Sequence, residues 1–285
     1  MPKKLAIVGI TRFSVVTRSS LTHFSLTGGR DRPDAEKQIF TADRLRVRFR
    51  LFRTLTLPSM AMVARRYQHF RYLVLTSRNL PLLWRLRLKT MVWRYPWCQI
   101  VELLPDENIR RRARAEASAF AKRAPLFSFR IDDDDALSVT YLDALLAHVN
   151  VKAAAAYCFD RGLYVQNSKQ GTLMAVPTHK PLVAVGLGYL DPSGKKTVFD
   201  LGNHTKIAEQ GPVSTLPGAP FWIKSIHAGN DSKDPFAGYL DGCLGPADLD
   251  RAMREYFPHI DIGRLTRALG PGSRGDIRGR IRPPR

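Results

Sequence analysis

The chain is 285 residues long, 44% hydrophobic, and carries 45 Lys and Arg against 25 Asp and Glu, a net charge of +20. That length can bury one sizeable core, and the composition is that of a globular protein rather than a disordered one. No stretch of about 20 apolar residues occurs, and Cys98, Cys158 and Cys243 are widely spaced with no C-x-x-C pair. Membrane-spanning, zinc-ribbon and dithiol redox readings are therefore excluded at the level of pattern.

Leu5-Ala6-Ile7-Val8-Gly9-Ile10 is a continuous apolar run, the pattern of a strand buried on both faces. It stops at Thr11-Arg12, too short for a secretory leader and with no cleavage site behind it, so a cytoplasmic protein is expected. Residues 19–36 are polar, contain Gly28-Gly29, and read as a loop. The stretch from Arg44 to Leu55 supports two readings. Its first eight residues alternate with period two, as in a strand, while Leu45, Phe49, Phe52 and Leu55 recur at spacings of four and three, as in a helix. The helix is preferred because the run leads into Pro58 and the next clear strand begins only at Tyr72.

A regular rhythm follows: a helix over Leu80–Trp93, a strand over Gln99–Leu103, a helix over Asp106–Lys122, a strand over Leu126–Ile131 and a helix over Ser138–Val149. Such alternation predicts an α/β fold with a mostly parallel central sheet flanked by helices. After residue 150 the pattern changes. Strands are expected at Tyr157–Phe159 and Leu163–Val165, joined at Asp160-Arg161-Gly162, and again at Leu173–Val176 and Leu182–Leu187. The chain thus divides into an α/β half, 1–150, and a more antiparallel, loop-rich half, 151–269, of one domain. Residues 270–285, with four Gly, three Pro and five Arg, read as a disordered basic tail.

The most informative feature is the hydrophobic strand ending at Ile131, followed at once by Asp132-Asp133-Asp134-Asp135. Ligands of open α/β sheets collect beyond the carboxyl ends of strands. Carboxylates crowded there repel one another, and a hard divalent cation that also bridges to phosphates relieves the repulsion. One or two aspartates would serve as a helix cap; four in succession point to a metal-diphosphate clamp. A nucleotidyltransferase or phosphohydrolase could use the same cluster, but no G-x-x-x-x-G-K-[ST] phosphate loop is present.

The pattern Asp132-x-Asp134-Asp135-x-Leu137 behind an apolar strand resembles the metal-binding Asp-x-Asp segment of GT-A nucleotide-sugar transferases. Further segments narrow the resemblance: Gly9 through Ser14, Arg48 through Phe52, Leu57-Pro58-Ser59, Leu73 through Ser77, Phe129 through Leu137, and Trp222 through Asn230. Together they resemble the putative rhamnosyltransferase family, a bacterial group placed among GT-A enzymes, over Leu5 to Asp234. The resemblance implies a GT-A-like fold and metal-dependent transfer of a sugar from a nucleotide-diphosphate donor to a cell-surface glycan or similar hydroxyl acceptor. The sugar would be rhamnose by the family's name, and the cofactor Mn or Mg.

By the same resemblance, residues 1–150 form the nucleotide-sugar-binding half and 151–269 the acceptor side. Thr11, Arg12, Asp132 and Asp133 would face the donor, with Asp132 towards the ribose. Asp134 would ligate the metal, with Asp135 beside it and His227 as a later ligand. Where such enzymes often carry a base-contacting aspartate after the second strand, this chain has Thr76-Ser77-Arg78. A general base for the acceptor hydroxyl is sought among Asp160, Asp200, Asp231 and Asp234; Asp231 and Asp234 are preferred for their nearness to His227. Trp222 suits either a stacking or a core role, and His179 and His204 sit in polar loops where a ligand role is not favoured.

The charge remains to be absorbed. Twelve arginines and no carboxylate lie between Arg44 and Val101. This is either a solvated face whose arginine stems cover apolar surface, or a docking surface for anionic lipid or acidic polysaccharide, which would place the protein peripherally at the inner face of the membrane. A nucleic-acid-binding protein is the rival class. Four aspartates at a strand end and the lack of a recognised binding module argue against nucleic acid as a partner.

Overall fold

The computed structural model describes residues 5–21, 31–227 and 242–270. Four parallel strands form its centre: β1 (Ala6–Phe13), β2 (Phe70–Ser77), β3 (Cys98–Leu103) and β4 (Leu126–Arg130), side by side in the order β3-β2-β1-β4. The runs of β1, β2 and β4 are largely buried because both faces are covered, while β3, at the edge of the sheet, is only partly buried. On one face Ile7, Phe13, Phe127 and Phe129 pack with Leu45, Phe49, Phe52, Met60, Val63 and Leu88. These come from α3 (Ala42–Leu51), α4 (Leu57–Arg66) and α5 (Leu82–Val92). On the other face Ala6, Val8, Ile10, Leu73 and Leu126 meet Ala113, Ala117 and Ala121 of α6 (Ile109–Ala121).

The helical reading of 44–55 holds, with one refinement. Leu45, Phe49, Phe52 and Leu55 are all buried, the first three against the large sheet and Leu55 in the cluster of the second sheet and the C-terminal helices. Between α3 and α4, however, the residues Phe52–Thr56 form a π-helical turn in which Leu57 N–H bonds to Phe52 O, five residues back. The wide turn precedes Pro58, which has no N–H to contribute.

After β4 the chain lays down a short strand, β5 (Asp135–Leu137), and α7 (Tyr141–His148). The large sheet is then extended by β6 (Ala155–Cys158), by β9 (Gly188–Asp191), antiparallel between β4 and β6, and by β10 (Val213–Thr215). A second sheet of four strands runs β5-β11-β7-β8, with β7 (Arg161–Asn167), β8 (Leu173–His179) and β11 (Trp222–Ser225). Its apolar face packs against α8 (Pro246–Tyr256) and α9 (Ile262–Leu269) through Leu163, Val165, Ile223, Leu249, Met253, Phe257 and Leu265.

Three expectations are corrected. The strands at 157–159 and 163–165 are consecutive but not partners, since β6 joins the large sheet and β7 the small one. Residues 182–187 form turns, not a strand: Leu182 and Gly186 both have positive φ, and Val183, Val185 and Leu187 are buried as loop side chains. The polar stretch 19–36 is not all loop. A short α1 (Arg18–Leu21) lies at its start, and α2 (Arg32–Ile39) begins where Asp31 accepts a hydrogen bond from Asp34 N–H, with a proline in the first turn. Most of the basic tail, 271–285, lies outside the described residues.

Candidate functional site

The order β3-β2-β1-β4 reverses direction between β1 and β4. Connections leave those two strands towards opposite sides, so a crevice opens beyond their carboxyl ends. Thr11 and Arg12 close β1 there, and Arg130 leads from β4 into the four aspartates.

The aspartate turn is gripped from the π-helical turn. Thr56 Oγ donates to the carbonyl of Asp135 at 2.8 Å and lies 3.3 Å from that of Asp132. Leu137 N–H donates to Ser59 Oγ at 3.1 Å, and Ser59 in turn donates to Leu55 O. The four side chains then fan out. Asp132 is the most open, at 31% side-chain exposure, and stands 3.9–4.0 Å from Arg12, Arg130 and Lys224. Burial alone would raise its carboxyl pKa, but Lys224, Arg130 and Arg12 outweigh burial and hold it below its ordinary value.

Asp133 and Asp134 share Arg48 of α3, at 2.7 Å and 2.9 Å. Asp134 Oδ2 also meets His227 Nε2 at 2.9 Å. Burial works against the Asp134 charge, yet Arg48 and the His227 hydrogen bond keep it ionised. Asp133 is fully buried, neither of its oxygens has an aligned hydrogen-bond donor, and burial pushes it up to about 7 despite Arg48. Asp135 is buried as well, accepts from Ser225 N–H at 3.3 Å, and has Lys224 at 3.6 Å. Burial drives its pKa well above the usual range.

Thr11 and Arg12, adjacent in sequence, part in space. Thr11 is completely buried; its hydroxyl donates to Ile131 O at 2.8 Å and accepts from Tyr72 at 2.6 Å, tying β4 to β1 and β2. Arg12 points to the other face and lines a cavity of about 410 Å³. Burial, and Arg130 beside it, lower the Arg12 pKa to about 10, so it stays cationic at neutral pH. The cavity is walled by Arg130, by Asn108, Ile109 and Arg110 at the N-terminus of α6, and by Phe199, Gly202, Asn203 and His204 from the loop after β9. Arginines and the positive end of a helix make an anion-binding wall. Phe199 lies 5.9 Å beneath the Arg12 guanidinium, and His204 is held neutral, its pKa lowered to about 4 by burial and by Arg130.

The sequence-based candidates Asp132, Asp134, Asp135 and His227 are therefore brought together, and Arg12 joins them through Asp132. Asp231 and Asp234 lie outside the described residues. The other two base candidates are occupied: Asp160 holds His179 at 2.5 Å, and Asp200 closes a capping box with Thr197 and faces Arg114. Trp222 is core, fully buried with Nε1 donating to Phe159 O at 2.6 Å. Sequence reasoning gave no role to Arg48, Lys224 or Arg110, and it weighed His204 only as an unfavoured ligand. The first three sit in a chain rich in basic residues, and no spacing rule distinguishes them from the rest.

The sequence pattern of a family described as "putative rhamnosyl transferase" matches residues 6–239. The chain belongs to that family. No curated protein matches it in sequence. Among solved structures, TarS 1–349 of S. aureus in complex with UDP-GlcNAc is 10% identical with a TM-score of 0.37, over 93% of this chain and 70% of that one. GalNAc-T7 with UDP, GalNAc and Mn²⁺ is 10% identical with a TM-score of 0.38, over 92% and 54%. A protein from Desulfovibrio desulfuricans G20, described as a putative nucleotide-diphospho-sugar transferase, is 12% identical with a TM-score of 0.36, over 94% and 99%. In this member of the rhamnosyl transferase family the match includes the aspartate turn, Arg48, Lys224 and His227, and ends before α8.

Proposed function

We propose that the protein is a glycosyltransferase that moves a sugar, rhamnose by its family, from a nucleotide-diphosphate donor to a hydroxyl of a cell-surface glycan or similar acceptor. The observation that carries this reading is the aspartate turn at the β1/β4 crevice. There Asp134 touches His227, and Asp132 sits among three cations, two of which, Arg12 and Arg130, line a basic cavity. In this reading the nucleoside enters the cavity against Arg110, Asn203 and Phe199. Arg12, Arg130 and Lys224 hold the diphosphate, and Asp132 faces the ribose. In this reading residues 1–150 supply most of the donor side, with Phe199, Asn203 and Lys224 reaching it from 151–269, which otherwise forms the acceptor side of one domain.

The site residues fit a divalent cation. Asp134 Oδ2 and His227 Nε2 lie 2.9 Å apart and Asp135 Oδ2 is a buried oxygen with no aligned donor, so these are the groups that would hold such a cation. Among the described residues no cluster of three or more His, Cys, Asp or Glu could hold a metal, so a cation here would have to be completed by donor phosphates or water. A divalent cation, Mn²⁺ or Mg²⁺, held by Asp134 and His227 would supply charge to offset that growing on the leaving diphosphate. Arg12, Arg130 and Lys224 supply fixed positive charge at the same place. The acceptor hydroxyl attacks the anomeric carbon as its proton passes to a carboxylate, Asp231 or Asp234, on the segment after His227. Among the described residues no helix is long and apolar enough to cross a membrane, and in this reading the enzyme works on the cytoplasmic side, in peripheral contact with the bilayer.

Calorimetric titration with UDP, GDP and dTDP, with and without Mn²⁺, tests the proposal. One nucleotide is expected to bind more tightly with the metal, and Asp134→Ala to remove the metal-dependent part. If no nucleoside diphosphate binds in a metal-dependent way, the reading fails.

A further inference from the structure

A surface far from the aspartates in sequence carries a second set of observations. Of the seven large apolar side chains exposed among the described residues, four belong to α5 and its C-cap: Leu82, Leu83, Leu86 and Trp93. The helix has two different faces. Leu88 and Val92 turn inward and are buried, with Trp84 and Met91 partly buried against the core beside them. Leu82, Leu86 and Trp93, spaced by four and seven, share the opposite face with Leu83, whose exposure reaches 80%.

Cations border this apolar stripe on both sides. On a helical wheel Lys89 flanks Leu82 and Trp93, while Arg87 and Arg94 flank Leu83. Arg87 stacks over Phe49 and Trp84, and Arg94 over Trp93, so their stems lie along the apolar surface. Lys89 meets Glu102 of β3 at 2.7 Å, and from residue 44 to 101 the sequence contains no carboxylate. An apolar stripe with a tryptophan, bordered by Lys and Arg, is the arrangement by which a helix lies in the surface of an anionic bilayer. A nucleic acid would find the same charge but would leave three leucines exposed.

We propose that the outer face of α5 docks the protein on an anionic lipid surface, with Leu82, Leu83, Leu86 and Trp93 entering the interface and Arg87, Lys89 and Arg94 meeting the headgroups. The helix runs from the end of β2 back to the start of β3, antiparallel to both. Its Leu82–Leu83 end therefore lies on the side of the sheet where Arg12 and Asp132 stand. Docking brings the crevice close to the bilayer, so the acceptor of the proposed reaction is within reach when it is carried by a lipid. The surface is independent of the donor site, and a failure of either leaves the other standing.

Sedimentation of the full chain with vesicles tests this, using phosphatidylglycerol mixed into phosphatidylcholine against phosphatidylcholine alone. The protein is expected to follow the anionic vesicles and not the neutral ones. Leu83→Glu and Trp93→Glu, both at exposed positions, should weaken that binding about tenfold while nucleotide titration and melting temperature stay unchanged. Absence of binding to the anionic vesicles overturns the proposal. So does binding that the two glutamate variants leave intact, since the apolar stripe is then not used. Self-association or duplex-DNA binding that disappears in Leu83→Glu, without vesicle binding, overturns it in favour of a second copy or a nucleic acid.

Discussion

Replacing Arg48 by methionine tests the central claim about the site, that one guanidinium holds two buried carboxylates. Arg48 reaches Asp133 and Asp134 at 2.7 Å and 2.9 Å, and the three side chains are only 14%, 0% and 5% exposed. Methionine fills similar space without charge. Asp134 keeps His227, but Asp133 has no aligned hydrogen-bond donor even in the intact protein. Removing one partner of a buried ion pair costs about 3–5 kcal/mol, chiefly because the other charge stays buried. For 285 residues the unfolding entropy is about 0.6 kcal/mol/K, so a loss near 4 kcal/mol lowers the melting temperature by about 7 °C. Circular dichroism melts at pH 9, where Asp133 is ionised beside Arg48, of the wild type, Arg48→Met and the double variant Arg48→Met/Asp133→Asn measure this directly. Most of the loss should return in the double variant, where the uncompensated acid becomes a neutral amide. A melting temperature within about 2 °C of wild type for Arg48→Met would refute the reasoning, as would a double variant no more stable than the single one.

Three other outcomes follow from the same structure. His259, beside Ser59 Oγ at 3.2 Å, has its pKa lowered to about 4 by burial. Between about pH 6.5 and 4 the unfolded chain binds the extra proton, so stability should fall as pH falls through that window, by at most about 3 kcal/mol, and denaturant titrations of His259→Gln should show a flatter pH dependence. Gly162→Ala should destabilise the protein by about 2–3 kcal/mol, because the added methyl would sit 2.1 Å from the buried Trp222 ring; a soluble variant with an unchanged melting temperature would contradict that packing. Arg110→Ala at the cavity wall should weaken nucleotide binding about tenfold with the melting temperature unchanged, read by calorimetry.

Much of the α/β half is legible in the sequence because burial there is continuous and local. The runs that form β1, β2 and β4 could hardly sit anywhere but inside a covered parallel sheet, and β3 is marked by its place in the alternation of strands and helices rather than by burial. The helix over 44–55 was decided by Leu45, Phe49, Phe52 and Leu55, whose spacing outweighed the alternating arginines. Beyond residue 150 the decisive facts are long-range. Nothing in Tyr157–Val165 says that its two strands belong to different sheets, a choice made by β9 and β11 from thirty to sixty residues away. Helix α8 did leave a signal in Leu249, Met253 and its C-cap Phe257, which recur every four residues and are all buried. The aspartate turn was visible as chemistry, but its electrostatics were not. Arg48 is separated from Asp134 by 86 residues, and only the folded chain distinguishes it from eleven other arginines in the same basic stretch.

The wide turn at Phe52–Thr56 ties events at opposite ends of the polypeptide. Its Thr56 carries the aspartate carbonyls on one side, while Leu51 and Leu55 pack with Leu249, Phe257 and Leu265 of the C-terminal helices on the other. The large sheet can assemble once residues through 215 are available, but the cradle beneath the aspartates lacks its outer wall until residues 246–269 arrive. In a growing chain the aspartate turn therefore gains its full support only after α8 and α9 have been made, and a translation product cut short between His227 and Pro246 would carry Asp132 to Asp135 and His227 without that wall.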